Sequence, residues 1–216
     1  HNLAIKKKIT GIINCAIDKE LLKKKKTGVT EYLAKKCKLK KDTEVMLIRN
    51  NNLCVSPITT HLDIKDVSKK ISQNMIIDKV KTINNWFSNK VRRNPVIGIM
   101  GLNPHNAEYR KDSEERKIII PAIRRLKKLG FKVNGPLLGD TVFIKDYKYF
   151  DVIVGMYHDQ VLSPFKTLFK YDGINITLGL KYIRVSPDHG TAKQLIRKKI
   201  ASEISLSKCL NFVSRF

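Results

Sequence analysis

Asp151-Val152-Ile153-Val154-Gly155-Met156-Tyr157-His158-Asp159-Gln160 decides how this chain is read. Asp151 to Met156 is an apolar run of strand length, and a polar turn rich in chemistry follows it directly. The same layout occurs twice upstream. Val96 to Leu102 leads into Asn103-Pro104-His105, and Leu53 to Ile58 leads into Thr59-Thr60-His61. Each histidine lies two to three residues past the C-terminal end of its run. In a parallel sheet those ends share one edge, where α/β proteins place their ligands. Three imidazoles on that edge could bind a divalent metal and leave positions open for substrate. Their separations of 44 and 53 residues form no local motif, so three unrelated surface histidines stand as the competing reading.

Outward from these stretches the pattern alternates. Ile9 to Cys15, Val45 to Arg49, Phe131 to Val133 and Ile174 to Leu178 are further predicted strands. Asn50-Asn51-Asn52 predicts a hairpin turn between two of the strands. Helical stretches are predicted at Asp18 to Lys26 (a short helix or turn), Thr30 to Lys38, Thr191 to Ile200 and Glu203 to Val213. Asp63 to Phe87 reads as one long helix with Ile64, Val67, Ile71, Ile76, Val80, Ile83 and Phe87 as its apolar stripe. That stripe is expected to leave apolar surface for a second chain. Another helix is expected to begin with Asp112 and Glu115 as a capping box, to start or kink at Pro121, and to close at Gly130. Strands alternating with helices predict an α/β fold with a mainly parallel sheet and some antiparallel pairing.

The 216 residues suffice for one large domain or two small ones. With 42% hydrophobic and 29% charged residues, the composition is that of a folded domain. No apolar run reaches the roughly 18 residues of a membrane span. The opening residues lack the apolar core of a signal peptide. The net charge of +24 raises the question of nucleic acid. Lys supplies 33 of the 43 basic residues and Arg only 10, while Ile (26) and Asn (15) are also abundant. The charge is therefore a Lys-rich compositional bias, and a nucleic-acid partner is disfavoured. Cys15, Cys37, Cys54 and Cys209 form no CxxC, which is consistent with reduced thiols in a cytoplasmic protein.

A second group of residues suits an anionic ligand. Lys166, Asn175 and Arg184 flank the Gly173 to Gly179 stretch, with Arg184 placed at the mouth of the proposed site. Arg holds a phosphate or carboxylate through two parallel bonds, and Lys acts as a point charge. Ser186-Pro187-Asp188-His189-Gly190-Thr191-Ala192 is expected to lead into a helix whose N–H groups would suit a phosphate. Neither GxGxxG nor GxxxxGK[ST] occurs.

Taken together, Leu102-Asn103-Pro104-His105, Gly135-Pro136 with Asp140-Thr141-Val142-Phe143, Met156 to Gln160, Gly173 to Leu180 and Ser186 to Ala192 resemble the 4-hydroxythreonine-4-phosphate dehydrogenase family of pyridoxine biosynthesis. The resemblance extends through Thr60-His61-Leu62 and Thr27-Gly28-Val29-Thr30-Glu31, and more faintly Asn14 to Lys19. It implies an isocitrate/isopropylmalate dehydrogenase-like fold: two α/β domains, a mainly parallel sheet flanked by helices, and an active site in the cleft. Family members are longer by about a hundred N-terminal residues, a stretch of domain size. The whole chain 1–216 is accordingly expected to be a partial, N-terminally truncated dehydrogenase.

By resemblance, His61, His105 and His158 are the metal ligands, for zinc, magnesium, manganese or cobalt, at the interface of a homodimer. Thr30, Lys166, Asn175 and Arg184 are the substrate contacts, Asp140 and Lys166 the catalytic groups, and His189, Gly190 and Thr191 the NAD-side residues. The implied reaction is NAD oxidation of 4-phosphooxy-L-threonine followed by decarboxylation to 3-amino-2-oxopropyl phosphate. The chain departs from the family pattern in places. Gly-His-Thr-Glu reads Gly28-Val29-Thr30-Glu31, the Gly-rich stretch after Asn-Pro-His reads Asn106-Ala107-Glu108-Tyr109-Arg110, and Val161 and Lys181 replace an expected Gly and Pro. Arg197-Lys198-Lys199 stands where a Gly-rich turn is usual. Three outcomes stay open: an active enzyme with drifted sequence, a relative acting on another four-carbon phosphorylated acid, or a decayed copy. A Lys-rich nucleic-acid-binding protein is the alternative of another class.

Overall fold

The computed structural model describes residues 1–18, 29–39, 43–198 and 200–216. Its strands are β1 (Gly11–Ile13), β2 (Val45–Arg49), β3 (Cys54–Pro57), β4 (Ile97–Met100), β5 (Val133–Leu137), β6 (Val152–Gly155), β7 (Ile174–Leu178) and β8 (Ile183–Pro187). Its α-helices are α1 (Asn2–Ile5), α2 (Val29–Lys36), α3 (Ile64–Lys70), α4 (Gln73–Trp86), α5 (Ile120–Lys128), α6 (His158–Phe169) and α7 (Ile204–Val213). The strands form one eight-stranded sheet in the order β1-β8-β7-β2-β3-β6-β4-β5. β3, β6, β4 and β5 lie side by side and point the same way. β2, β7 and β8 follow in antiparallel succession, and β1 joins β8 in parallel. The expected α/β fold with helices flanking a largely parallel sheet is found, and the antiparallel share extends beyond the one anticipated hairpin.

The sheet is covered on both faces, so its central strands read as continuous apolar runs. Every residue of β3, β4 and β6 is buried. On one face Ile97, Ile99, Val152, Val154 and Ile176 pack with Ile76, Val80 and Ile83 of α4 and Ile123 and Leu126 of α5. On the other, Ile48, Val55, Met100 and Ile153 pack with Val161, Leu162 and Phe165 of α6. Gly155 permits that second contact. A Cβ there would stand 2.6 Å from Val161 Cγ1, so only glycine lets the first turn of α6 lie this close to β6.

Four local expectations are corrected. The helix predicted over Asp63 to Phe87 breaks at Ile71 and Ser72, where extended backbone intervenes and Ser72 Oγ accepts the Met75 N–H at 3.2 Å as a new N-cap. Most of its stripe is also consumed internally: Ile76, Val80, Ile83 and Phe87 are at most 1% exposed, while Ile64 at the start of α3 is 72% exposed. Glu115 forms no capping box. It is fully buried and turned toward residues 102 and 103, while Ser113 Oγ receives the Arg116 N–H. No helix spans 191–198. A short 3-10 turn, Lys193–Leu195, stands there, with Ala192 and Arg197 left-handed. Ile196 and Ile200 are each 67% exposed, so no buried face supports a helix there. Finally, β8 and α6 were not anticipated: Pro164 interrupts the apolar spacing of α6, and β8 is short, with a charged residue, Arg184, at its second position and Pro187 at its last. The stretch expected as a short helix at Asp18 to Lys26 lies, from residue 19 on, outside the described residues.

Candidate active site at the sheet edge

The parallel block places four predicted residues along one edge. His61 follows β3, His158 follows β6, His105 follows β4 and Asp140 follows β5, in the order in which those strands neighbour one another. Sequence separations of 44 and 53 residues thereby become adjacent strand ends. The His61 and His158 rings stand 6.2 Å apart between centroids. His158 Nδ1 pairs with Asp159 Oδ1 at 2.8 Å, the kind of partner that fixes the orientation of a ligating imidazole. His105 is exposed on its loop, and Asp140 is exposed three residues past β5. Among the described residues no three His, Cys, Asp or Glu side chains stand close enough to hold a metal within this one chain. The donor set fits a divalent metal in kind, with two imidazoles adjacent and a third on the neighbouring strand end.

Hydrogen bonds tie these strand ends together, through residues that sequence reasoning missed. Thr59 donates both its N–H and its hydroxyl to the Met156 carbonyl, at 3.1 and 2.8 Å, joining the end of β3 to that of β6. Gln160 accepts the Met156 N–H at 2.6 Å and donates to the Gly101 carbonyl at 2.8 Å, joining β6 to β4. Glu115 Oε1 accepts the N–H groups of Leu102 and Asn103, each at 2.8 Å. Burial works to raise the Glu115 carboxyl, but the Asn103 backbone and side-chain donors and the Leu102 N–H outweigh it and hold the group below the usual carboxylate range. Gln160 stands two residues after His158 in the quoted stretch, in the first turn of α6.

A cavity of about 280 Å³ opens on the same edge and is lined by Thr30, Thr60, His61 and Asn175 among others. Asn175 Oδ1 is buried with no hydrogen-bond partner, so an acceptor stands ready in a residue of the cavity wall. Arg184 does not stand at an open mouth. It is 4% exposed, because β8 is an inner strand between β1 and β7. Its guanidinium donates to Asn14 Oδ1 (2.7 Å), Thr177 Oγ1 (2.8 Å) and, at the long limit of 3.5 Å, Thr30 Oγ1. Thr30, Asn175 and Arg184 thus share one neighbourhood.

Two predicted groups lie around the end of β8, which runs opposite to β3. His189, Gly190 and Thr191 follow its C-terminal residue Pro187. They are exposed, and no helix N-terminus follows them. Lys166 Nζ donates to the Asp188 carbonyl at 2.8 Å and pairs with its carboxylate at 3.3 Å. Burial raises the Asp188 carboxyl above its ordinary value, and the Lys166 ammonium pulls it partly back.

The sequence model described as "Pyridoxal phosphate biosynthetic protein PdxA" matches residues 1–213. A 4-hydroxythreonine-4-phosphate dehydrogenase of Aquifex aeolicus is 41% identical over 214 residues, which are 97% of this chain and 66% of that protein. One from Sulfurihydrogenibium is 40% identical over 206 residues, 93% and 63% of the two chains. The crystal structure of the Klebsiella pneumoniae 4-hydroxythreonine-4-phosphate dehydrogenase superposes with a TM-score of 0.85 at 30% identity, covering 99% of this chain and 66% of that one. The chain thus spans about two thirds of the length of these relatives. Agreement in sequence over nearly every residue, and in overall fold, places the chain in the pyridoxal phosphate biosynthetic protein PdxA family.

Proposed function

We propose that the chain forms the greater part of an NAD- and divalent-metal-dependent dehydrogenase that oxidises the C3 hydroxyl of 4-phosphooxy-L-threonine. The 2-amino-3-oxo acid formed loses carbon dioxide to give 3-amino-2-oxopropyl phosphate, within pyridoxal phosphate biosynthesis. The observation that carries this reading is that Thr30, His61 and Asn175 line one cavity at the edge where His158 stands 6.2 Å from His61. His61, His105 and His158 would hold the metal. When bound, the metal supplies Lewis acidity at the substrate hydroxyl, and NAD supplies the hydride acceptor.

The chain's own residues do the rest. Asn175 Oδ1 accepts a substrate N–H or O–H. Thr30 presents its hydroxyl, held toward the Arg184 guanidinium. Asp140, exposed on the same edge, takes up the hydroxyl proton. Lys166 serves the anionic substrate after release from Asp188. Two adjacent histidines, with no set of three His, Cys, Asp or Glu placed to hold a metal among the described residues, favour a homodimer whose second copy completes the site.

The test incubates the chain with NAD and 4-phosphooxy-L-threonine, with zinc or manganese and then with chelator, while sedimentation reports its oligomeric state. Metal-dependent NADH and carbon dioxide formation by a dimer is expected. NADH from another four-carbon phosphorylated acid alone would move the assignment to that substrate. A metal-loaded dimer inert toward both would overturn it.

A further inference from the structure

We infer that Glu44 is a specificity-determining residue of this cavity, selecting a ligand that carries an amino group where a related acid carries a hydroxyl; the inference deepens the function proposed above and rests on it. Glu44 immediately precedes β2 and lines the cavity together with Met46, His61 and Asn175. Side chains alternate between the two faces of a strand. Val45 and Leu47 enter the core on the α4 side, so alternation puts Met46 and Glu44 on the other face. Asn175 shares that face, since it pairs with Ile48, two residues on from Met46. Glu44 is partly buried, and among the described residues no hydrogen bond or ion pair holds its carboxylate. Its main-chain carbonyl, by contrast, accepts a bond from Lys79 Nζ at 3.1 Å, which fixes the backbone from which the carboxylate extends.

Two acceptors thus wait on one face of the cavity: the Glu44 carboxylate and Asn175 Oδ1, which is buried without a partner. Lys70 and Lys79 also line the cavity, but each is engaged with other groups, and neither closes on these two acceptors. A pair of acceptors calls for a group rich in protons. One hydroxyl carries a single donor and satisfies one of them, whereas an ammonium carries three and satisfies both at once. Its bond to a carboxylate is also charge-assisted, roughly twice as strong as a neutral one. An acceptor left unmatched by the ligand keeps its desolvation penalty. The substrate group that fits is the C2 ammonium. The cavity should therefore prefer 4-phosphooxy-L-threonine to its 2-hydroxy counterpart, 2,3-dihydroxy-4-phosphooxybutanoate.

The experiment titrates these two phosphorylated acids by calorimetry into the full chain with zinc but without NAD, so that binding is read apart from turnover. Glu44→Gln keeps the size and removes the charge, and Glu44→Asp keeps the charge on a shorter stem. The parent chain is expected to bind the amino acid about tenfold or more tightly than the hydroxy acid. Glu44→Gln should remove most of that preference by weakening the amino acid alone, with the hydroxy acid and the melting temperature little changed. Glu44→Asp should restore part of it. With NAD added, KM of Glu44→Gln for the amino acid should rise far more than kcat falls. Equal affinity of the parent chain for the two acids, or no binding of either, overturns the inference. So does a Glu44→Gln variant that keeps the preference or weakens both acids alike, which would leave Glu44 a mere support of the wall. A preference lost in Glu44→Gln, in a chain that makes no NADH from either acid, upholds this inference and defeats the proposed reaction. NADH formation without any preference does the reverse.

Discussion

The loops carrying His105 and His158 start from the same place and end in opposite conformations. Both leave fully buried four-residue strands that are hydrogen-bonded neighbours. After β6 the chain turns straight into a right-handed helix, with His158 as its first residue. After β4 it makes five consecutive left-handed residues, His105 to Tyr109, with φ between 49° and 55° and no glycine among them. Left-handed backbone costs an L-residue about 1–2 kcal/mol. The first loop is therefore held by local preference, and the second by its surroundings. Glu115 grips its base, and Asn106 is 2% exposed and donates to the Pro136 carbonyl at 3.1 Å. The lesson is that two histidines equally visible in the sequence are positioned by different means, one by a helix and one by a tertiary clamp.

Removing the clamp should have the largest effect. Glu115→Ala leaves the Leu102 and Asn103 N–H groups without their acceptor and should lower the stability seen in urea unfolding by roughly 3 kcal/mol. Because the Glu115 carboxyl is held below its ordinary range, its contribution is present above the unfolded value and is lost as the pH falls through the lowered one. The gap in urea midpoint between the parent chain and Glu115→Gln should therefore narrow on acidification from pH 7. A gap that widens would show that the carboxylate is not the stabilising form.

Gln160 links the two loops, so Gln160→Ala tests whether they are positioned together. It should cost roughly 2 kcal/mol for two hydrogen bonds and should speed amide exchange at Met156. Unchanged exchange at Met156 would mean that each loop stands alone. Ala107→Gly acts on the strained loop only. It should raise stability by roughly 0.5–1 kcal/mol, since glycine adopts the left-handed conformation freely but loses more chain entropy on folding. A destabilised variant would mean that the buried Ala107 methyl and the chain entropy outweigh the relief of strain. The smallest effect is expected at the relaxed loop. Asp159→Ala removes an exposed partner of His158 and should change stability by less than about 0.5 kcal/mol in the same urea assay.

Much of the site was legible because residue type and short-range period carry it. β2 and β7 were read to the residue, and β3, β4 and β6 to within one or two. The three histidines followed from their strand ends alone. Arg184 was chosen for the right neighbourhood but not for its burial, since only the placement of β8 between β1 and β7 covers it. Lys166 was chosen as a free charge, and the fold gives it Asp188. Thr59 and Gln160, which join the strand ends, carry no motif of their own. Their bonds reach 97 and 59 residues along the chain, beyond any spacing that a local pattern records.

By itself, the sequence determined that strands alternate with helices and that three of the predicted strands are followed by histidines. Burial periodicity and side-chain identity are local properties, and they survive without knowledge of partners. Only the tertiary structure decided that β3, β6 and β4 are neighbours, that β8 runs the other way, and that the predicted long helix breaks at Ser72. It alone decided that residues 105–109 are left-handed. Strand order depends on which apolar faces meet. A strained backbone persists only where buried contacts such as those of Glu115 and Asn106 outweigh its cost.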